Sequence, residues 1–316
     1  MAHEAAAAQH YPTSSLYVVA TPIGNLADMS LRALYVLQLA DTIACEDTRH
    51  SQALLQHYGL YGKKLLALHQ HNEEQAAQDL ILRLKAGERV AYISDAGTPA
   101  ISDPGARLVR AVRQAGHRCV PLPGASSITT LMSAAGAVSE SVQGAAQAGF
   151  AFCGFLPSKS QERQTAIARM AEQSGAQMWL ESPHRIVASS QDLQKLGIRQ
   201  LTVGRELTKQ HEEIVTIPAQ DLHSWLQANP QRQRGEYTLL LHPVNAKGDF
   251  AQNQKLAAQE TLKETLILLL PHMPLKSAVA LAGKLHPDIT RNDLYQIGLE
   301  LKKTLSTEQP TPQSLP

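Results

Sequence analysis

Residues able to do chemistry gather where short apolar runs end. Cys45-Glu46-Asp47-Thr48-Arg49-His50 sets two carboxylates beside a guanidinium and an imidazole, and His69-Gln70-His71-Asn72-Glu73 sets two imidazoles beside an acid. Glu, Asp and His at strand ends can take a proton from a hydroxyl or orient one. The competing use is structural, with Asp47 or Asn72 as a helix N-cap and Glu73 in a first turn. His69 and His71 share one face of a strand, but no third ligand at recognisable spacing accompanies them, so no metal site is expected. Gly204-Arg205-Glu206-Leu207-Thr208-Lys209 is a basic–acidic–basic set that also fits a plain ion pair. Phe155-Leu156-Pro157-Ser158-Lys159-Ser160, with Arg163 after it, reads as a capped helix start or as a phosphate-contacting loop.

Four loops rich in Gly and Pro carry further polar groups: Thr21-Pro22-Ile23-Gly24-Asn25, Ser94-Asp95-Ala96-Gly97-Thr98-Pro99, Leu122-Pro123-Gly124-Ala125-Ser126-Ser127 and Glu181-Ser182-Pro183-His184-Arg185. Each follows an apolar run that reads as a strand. In an open α/β sheet the carboxyl edge is where ligands bind. Any one such loop is usually a mere connection. Several on one edge, with Asp, Ser and Thr embedded, favour a binding site. Neither G-x-G-x-x-G nor G-x-x-x-x-G-K-[ST] occurs, which argues against nicotinamide-dinucleotide enzymes and P-loop nucleotidases.

The elements that must position these loops follow from the pattern. Strands are expected at 16–20, 42–45, 65–68, 89–93 and 118–122, and helices at 30–39, 48–57, 73–85 and 107–114. That alternation predicts a mostly parallel sheet covered on both faces. A second α/β segment follows, with a helix at 126–135 and strands at 150–153, 177–181, 201–203, 213–217 and 237–241. Helices at 161–173, 185–196 and 219–228 lie among them, and closely spaced strands suggest a mixed sheet. Helical pieces at 256–270, 276–285 and 291–301, punctuated by Pro271, Pro274 and Pro287, resemble a helix-turn-helix. The expected division is a disordered start (1–14), α/β domains at 15–124 and 125–244, a linker (245–254), a helical module (255–305) and a disordered tail (306–316).

Composition limits the partners. The 316 residues contain 29 Lys and Arg against 28 Asp and Glu, so the net charge is +1 and no polybasic arm exists. An anionic partner must therefore meet a local patch. Cys45, Cys119 and Cys153 are scattered with no C-x-x-C pair, which suits a reducing cytoplasm rather than a disulfide framework. No apolar run is long enough to span a bilayer, and no signal peptide is read at the start.

The motif strings resemble a known family. L-Y-V-V-A-T-P-I-G-N-L from Leu16, A-C-E-D-T-R-H from Ala44, H-x-H-N-E from His69 and S-D-A-G-T-P-x-I-S-D-P-G from Ser94 occur in order. G-F-L-P-x-K from Gly154, E-S-P-H-R from Glu181 and R-E-L-T-K from Arg205 complete the set, which covers about Leu16 to Val244. Together they look like the tetrapyrrole-methylase superfamily, in its branch that methylates a ribose of small-subunit ribosomal RNA. One departure is Ala125, where many relatives carry Pro, which makes that loop less rigid.

The resemblance implies two α/β domains with S-adenosylmethionine in the cleft between them, a homodimer, and 2′-O-methylation of a cytidine in 16S rRNA near the decoding centre. It places the donor on Pro22, on Ser94, Asp95 and Thr98, and on Ser126 and Ser127. Contacts near Glu181, Val203 and Thr238 would come from the second domain. Base candidates are Glu46, Asp47, His69 and Glu206, and Arg49, Lys159, Arg185 and Lys209 are the candidates to hold RNA phosphates. The basic residues of the helical module would add to that grip. A small-molecule tetrapyrrole methylase and a non-enzymatic RNA-binding assembly factor remain open beside this reading.

Overall fold

Residues whose side chains alternate between two apolar layers make the central strands, which is why they read as nearly continuous hydrophobic runs. The computed structural model describes residues 2–69, 72–102, 105–137, 139–140, 146–147, 149–244, 262–263, 265–285, 294–299 and 301. By contacts, Met1–Ser139 with Gln147–Pro243 form one unit and Glu140–Ala146 with Val244–Pro316 a second.

In the first unit, β1 (Ser15–Val19), β2 (Thr42–Cys45), β3 (Leu65–Ala67), β4 (Arg89–Ile93) and β5 (Arg118–Leu122) form a sheet in the order β3-β2-β4-β1-β5. All its pairings are parallel. On one face Tyr17, Val19, Ile43 and Ile93 pack with Val36, Leu37 and Leu55 of helices α2 (Leu31–Leu39) and α3 (Thr48–His57). On the other, Leu16, Val90 and Tyr92 pack with Leu80 and Leu84 of α4 (Glu73–Lys85) and with Leu108 and Val112 of α5 (Gly105–Gln114). Ser30 caps α2 by accepting the Ala33 amide at 3.1 Å.

The expectation of disorder over 1–14 is corrected for the described residues. Ala2–Ala6 forms helix α1, and Ala6 and Tyr11 are buried. The Tyr11 ring lies 5.3 Å from that of Tyr35 and 6.3 Å from that of Tyr17, and its hydroxyl donates to the Ala6 carbonyl at 3.1 Å. One aromatic anchor holds a segment whose polar, alanine-rich composition hides it.

The second sheet comprises β6 (Phe150–Phe155), β7 (Ala176–Glu181), β8 (Gln200–Arg205), β9 (Glu213–Pro218) and β10 (Tyr237–Leu241), in the order β9-β8-β10-β7-β6. It is mixed: β6 and β7 are parallel, while the other pairs are antiparallel. Trp179, Leu201, Val203, Tyr237 and Leu239 face α7 (Ser160–Glu172), α8 (Ile186–Leu193) and α9 (Leu222–Gln227). Met178 and Leu240 face the opposite way, onto α6 (Ser127–Ala135), Leu207 and Ile23. Ile23 belongs to the loop after β1, so this layer joins the two sheets.

His242 follows β10, and its Nε2 lies 2.7 Å from the Thr202 hydroxyl, itself 2.7 Å from that of Thr216. Burial, with the Arg199 charge adding to it, holds the imidazole below the usual histidine range. The unfolded chain therefore binds this proton more readily than the folded one. The stability it contributes is present above about pH 6.5 and is lost as pH falls through the lowered folded value. Urea unfolding at pH 7.5 and 5.5 should show the loss, and His242→Gln should shrink it. An unaltered pH difference in that variant would count against the assignment.

In the second unit, α10 (Leu275–Leu285) packs Ala278, Val279 and Ala282 against Leu262, Leu266 and Leu294. Residues 262–263, 265–269, 294–299 and 301 are helical. Gly298 permits close packing there, because a Cβ would sit 2.8 Å from Leu275 Cδ1. The linker 245–254, the tail 306–316, Lys255, Arg291, Lys302 and Lys303 lie outside the described residues.

Candidate active site

The loops after β1, β4 and β5 are bonded into one rim. Thr21 and Gly97 exchange backbone hydrogen bonds at 3.0 and 3.1 Å, and the Thr21 hydroxyl donates to the Ser94 carbonyl at 3.1 Å. Ser94 Oγ donates to the Gly97 carbonyl at 3.2 Å, and Thr98 Oγ1 to the Ala125 carbonyl at 3.0 Å. Gly97 has φ +80°, and a Cβ there would lie 3.1 Å from Ile23 Cγ2. An L-residue in that conformation costs about 1–2 kcal/mol. Gly97→Ala should accordingly lower thermal stability modestly and displace the Ser94–Thr98 loop. For S-adenosylmethionine, the donor that the resemblance implies, we expect a roughly tenfold weaker affinity by calorimetry, since about 1.4 kcal/mol is tenfold. Unchanged affinity would show that the loop does not shape the pocket.

Beside this rim lies a cavity of about 340 Å³, of a size that suits a small organic ligand. The first domain contributes Ile23, Glu46, Ser94, Asp95 and Thr98; Ser126 and Ser127 come from the start of α6. The second sheet contributes Leu180, Glu181, Thr238 and Phe155. Asp95 Oδ1 accepts the Asp47 amide at 3.3 Å, while Oδ2 has no hydrogen-bond partner among the described residues. The Asp95 carbonyl lies 3.1 Å from His50 Nε2, which ties the loop to the start of α3. Ser126 occupies the N-cap of α6 without a side-chain cap bond. The first amides of that helix are donors without intrahelical partners at the cavity wall.

Of the residues singled out in the sequence, Ser94, Asp95, Thr98, Ser126, Ser127, Glu181, Thr238 and Glu46 line the cavity. Pro22 is buried one residue behind Ile23, and Val203 packs in the core on the far face of the sheet. Glu181 reaches the cavity, but its carboxylate is spent internally. It accepts from Ser189 Oγ at 2.7 Å and from the Ser182 amide at 2.9 Å, and pairs with Arg185 at 3.2 Å. Arg185 also donates to the Leu156 carbonyl.

The remaining base candidates lie elsewhere. Asp47 caps α3 through the Arg49 and His50 amides, and its contacts with Arg49 hold the carboxyl below the usual range. The His69 amide donates to Asn72 at the edge strand β3, and His71 is outside the described residues. Burial pushes the Glu206 carboxyl up, but the Glu236 amide and Lys209 outweigh it, so the group sits below its ordinary value. Lys209 bridges Glu206 at 2.9 Å and Glu236 at 3.0 Å. Its stem covers Gly24, where a Cβ would meet Lys209 Cγ at 2.4 Å, and Thr208 Oγ1 accepts the Asn25 amide at 3.1 Å. The Arg205–Lys209 turn thus clasps the first loop. Lys159 pairs with exposed Glu162, and Arg49 with Asp47.

Cavity residues that the sequence did not single out include Ile23, Ile101, Ser102, Leu207 and Glu236. Ile23, Ile101, Ser102 and Leu207 sit inside quoted motifs; Glu236 carries no local signal.

The family "Tetrapyrrole (Corrin/Porphyrin) Methylases" matches residues 15–223, and "RsmI C-terminal HTH domain" matches residues 256–302. A "Ribosomal RNA small subunit methyltransferase I" from Vibrio cholerae is 44% identical over 287 residues, covering 90% of this chain and 94% of that one. The chain belongs to the ribosomal RNA small subunit methyltransferase I family. A more distant member from Synechocystis is 36% identical, covering 91% of this chain and 98% of its own. The fold of this methyltransferase is shared with cobalt precorrin-4 methyltransferase, at 18% identity and a TM-score of 0.52, covering 72% of this chain and 95% of that one. Diphthine synthase matches with the same TM-score at 14% identity, covering 72% of this chain and 90% of that one.

Proposed function

We propose that this methyltransferase moves a methyl group from S-adenosylmethionine to the ribose 2′-hydroxyl of a cytidine in 16S rRNA of the small ribosomal subunit. The observation that carries the reading is the 340 Å³ cavity in which the open Asp95 oxygen, the uncapped start of α6 and Glu46 meet. Asp95 can hold the donor's ammonium or its ribose hydroxyls by charge-assisted hydrogen bonds. The free amides of α6 suit its carboxylate. Bound there, the donor offers an electrophilic methyl on a sulfonium whose sulfur departs neutral.

The chain then has to align the attacking hydroxyl and accept its proton. Glu46 is the base in this reading. Half-exposed Phe155 and Ile101 give the mouth an apolar surface suited to a nucleobase. The proposal includes a homodimer, checked by light scattering, and a cytoplasmic setting.

Mapping labelled methyl groups on 16S rRNA, after incubation with free RNA and with assembled subunits, tests the proposal. Label on a cytidine 2′-oxygen is expected. Label only on a tetrapyrrole, or none with the donor bound, would overturn it.

A further inference from the structure

Near-neutral chains that hold RNA must concentrate their positive charge locally. The four candidates named from sequence do so poorly: Arg185 and Lys209 are taken up by internal carboxylates, and Arg49 and Lys159 each face an acid. Helix α5 differs. Arg107, Arg110 and Arg113 recur every third residue on its exposed side, and exposed Arg118 begins β5 beyond the turn that follows. The sequence has no Asp or Glu between Asp103 and Glu140. Among the described residues Arg107 pairs with Glu73 alone, at 3.7 Å, while its own side chain is 82% exposed. No ion pair or side-chain hydrogen bond engages Arg110, Arg113 or Arg118 among the described residues. Arg110 and Arg113 line a shallow depression together with Ala106, Val109 and Gln114.

We propose that this arginine track is a phosphate-binding surface that grips the backbone of the substrate RNA outside the cavity. It rests on the reading of RNA as substrate and extends that reading to a surface. Three features support it. The residues are all arginine, whose planar fork matches a phosphate and keeps its charge. They are unspent. And α5 starts three residues beyond Ser102 of the cavity wall, so the track leads away from the pocket at about 1.5 Å per residue. The first three arginines thus span roughly 9 Å along the helix, on the scale of neighbouring phosphates.

The test measures binding of in-vitro-transcribed 16S rRNA at several salt concentrations. It compares the wild type, R110Q/R113Q/R118Q, and a control of equal charge loss elsewhere, K85Q/R169Q/K195Q. Losing three contacts at about 0.7 each takes about two units off the slope of log K against log salt, roughly 100-fold in affinity at 0.1 M. That outcome is expected for the first variant alone, with S-adenosylmethionine affinity retained as proof of folding. R110K/R113K/R118K, which keeps the charge, should restore most of the slope. Equal losses in both glutamine triples, or an unchanged slope, would overturn the track while leaving the methylation reading intact. A wild-type chain that binds neither this RNA nor the assembled small subunit would overturn both.

Discussion

Replacing Glu46 by Gln lowers the turnover of ribose methylation about 100-fold or more and leaves donor affinity unchanged. A positioned general base contributes roughly 10²–10⁴ to rate when its proton comes from a weak acid. A ribose hydroxyl is such an acid, and the departing sulfur needs no proton, so the base is the main chemical help the chain can give. Four groups qualify by type, but the structure separates them. Asp47 is bound into the α3 cap, His69 sits at the edge strand β3, and Glu206 is locked between Lys209 and the Glu236 amide. Glu46 alone of the four lines the cavity. Gln preserves shape and polarity, so a loss of rate reports the proton and not packing. Single-turnover methylation, with calorimetry of donor binding alongside, makes the measurement. Asp47→Asn serves as the contrast, since it should lower stability and spare the rate. A Glu46→Gln enzyme within threefold of the wild type would remove Glu46 from the chemistry.

Much of this architecture was legible in the sequence because the central strands of the first sheet are buried on both faces, and the runs Thr42–Cys45 and Arg89–Ile93 stand out with their bounds intact. The edge strand Arg118–Leu122 keeps its bounds too, although it is only partly covered. The loops at their carboxyl ends were legible for a related reason: Gly97 and Pro99 are turn-forming residues whatever the turn holds. What each polar residue does in the rim was not. The sequence shows Glu206 and Lys209 as a charged pair at a strand end, but not that Gly24 comes from far along the chain to lie under the Lys209 stem. Val203 falls at the right height of its strand, and only the direction of the pleat decides that it faces the core. Tyr237 shows the same limit. It borders the cavity, yet it packs in the apolar layer of the second sheet, where burial pushes its phenol up to about 12, so it is no base at neutral pH.

Gly105→Ala should be the most destabilising single-methyl change in the first domain, and its cause can be isolated. Gly105 opens α5, immediately past the loop that carries Ile101 and Ser102 to the cavity. A Cβ there would lie 2.2 Å from Tyr92 Cε1 and 2.6 Å from both Cζ and the hydroxyl oxygen. Tyr92 is fully buried among Leu16, Leu80 and Leu108, so its ring has nowhere to swing, and the start of the helix must move outward instead. Overpacking of this kind costs typically 1–3 kcal/mol, and an immobile ring puts this site near the top of that range. Alanine's better helix propensity returns at most about 1 kcal/mol. The net loss is about 2 kcal/mol, which for a unit of this size lowers Tm by roughly 4–8 °C. Donor affinity should fall as well, because the displaced helix carries the rim with it. Tyr92→Leu makes room for the methyl, so the double variant should be more stable than the two single losses predict, by about 1 kcal/mol or more. Strictly additive losses would mean that Tyr92 and Gly105 do not press on one another, and that the glycine serves only the turn.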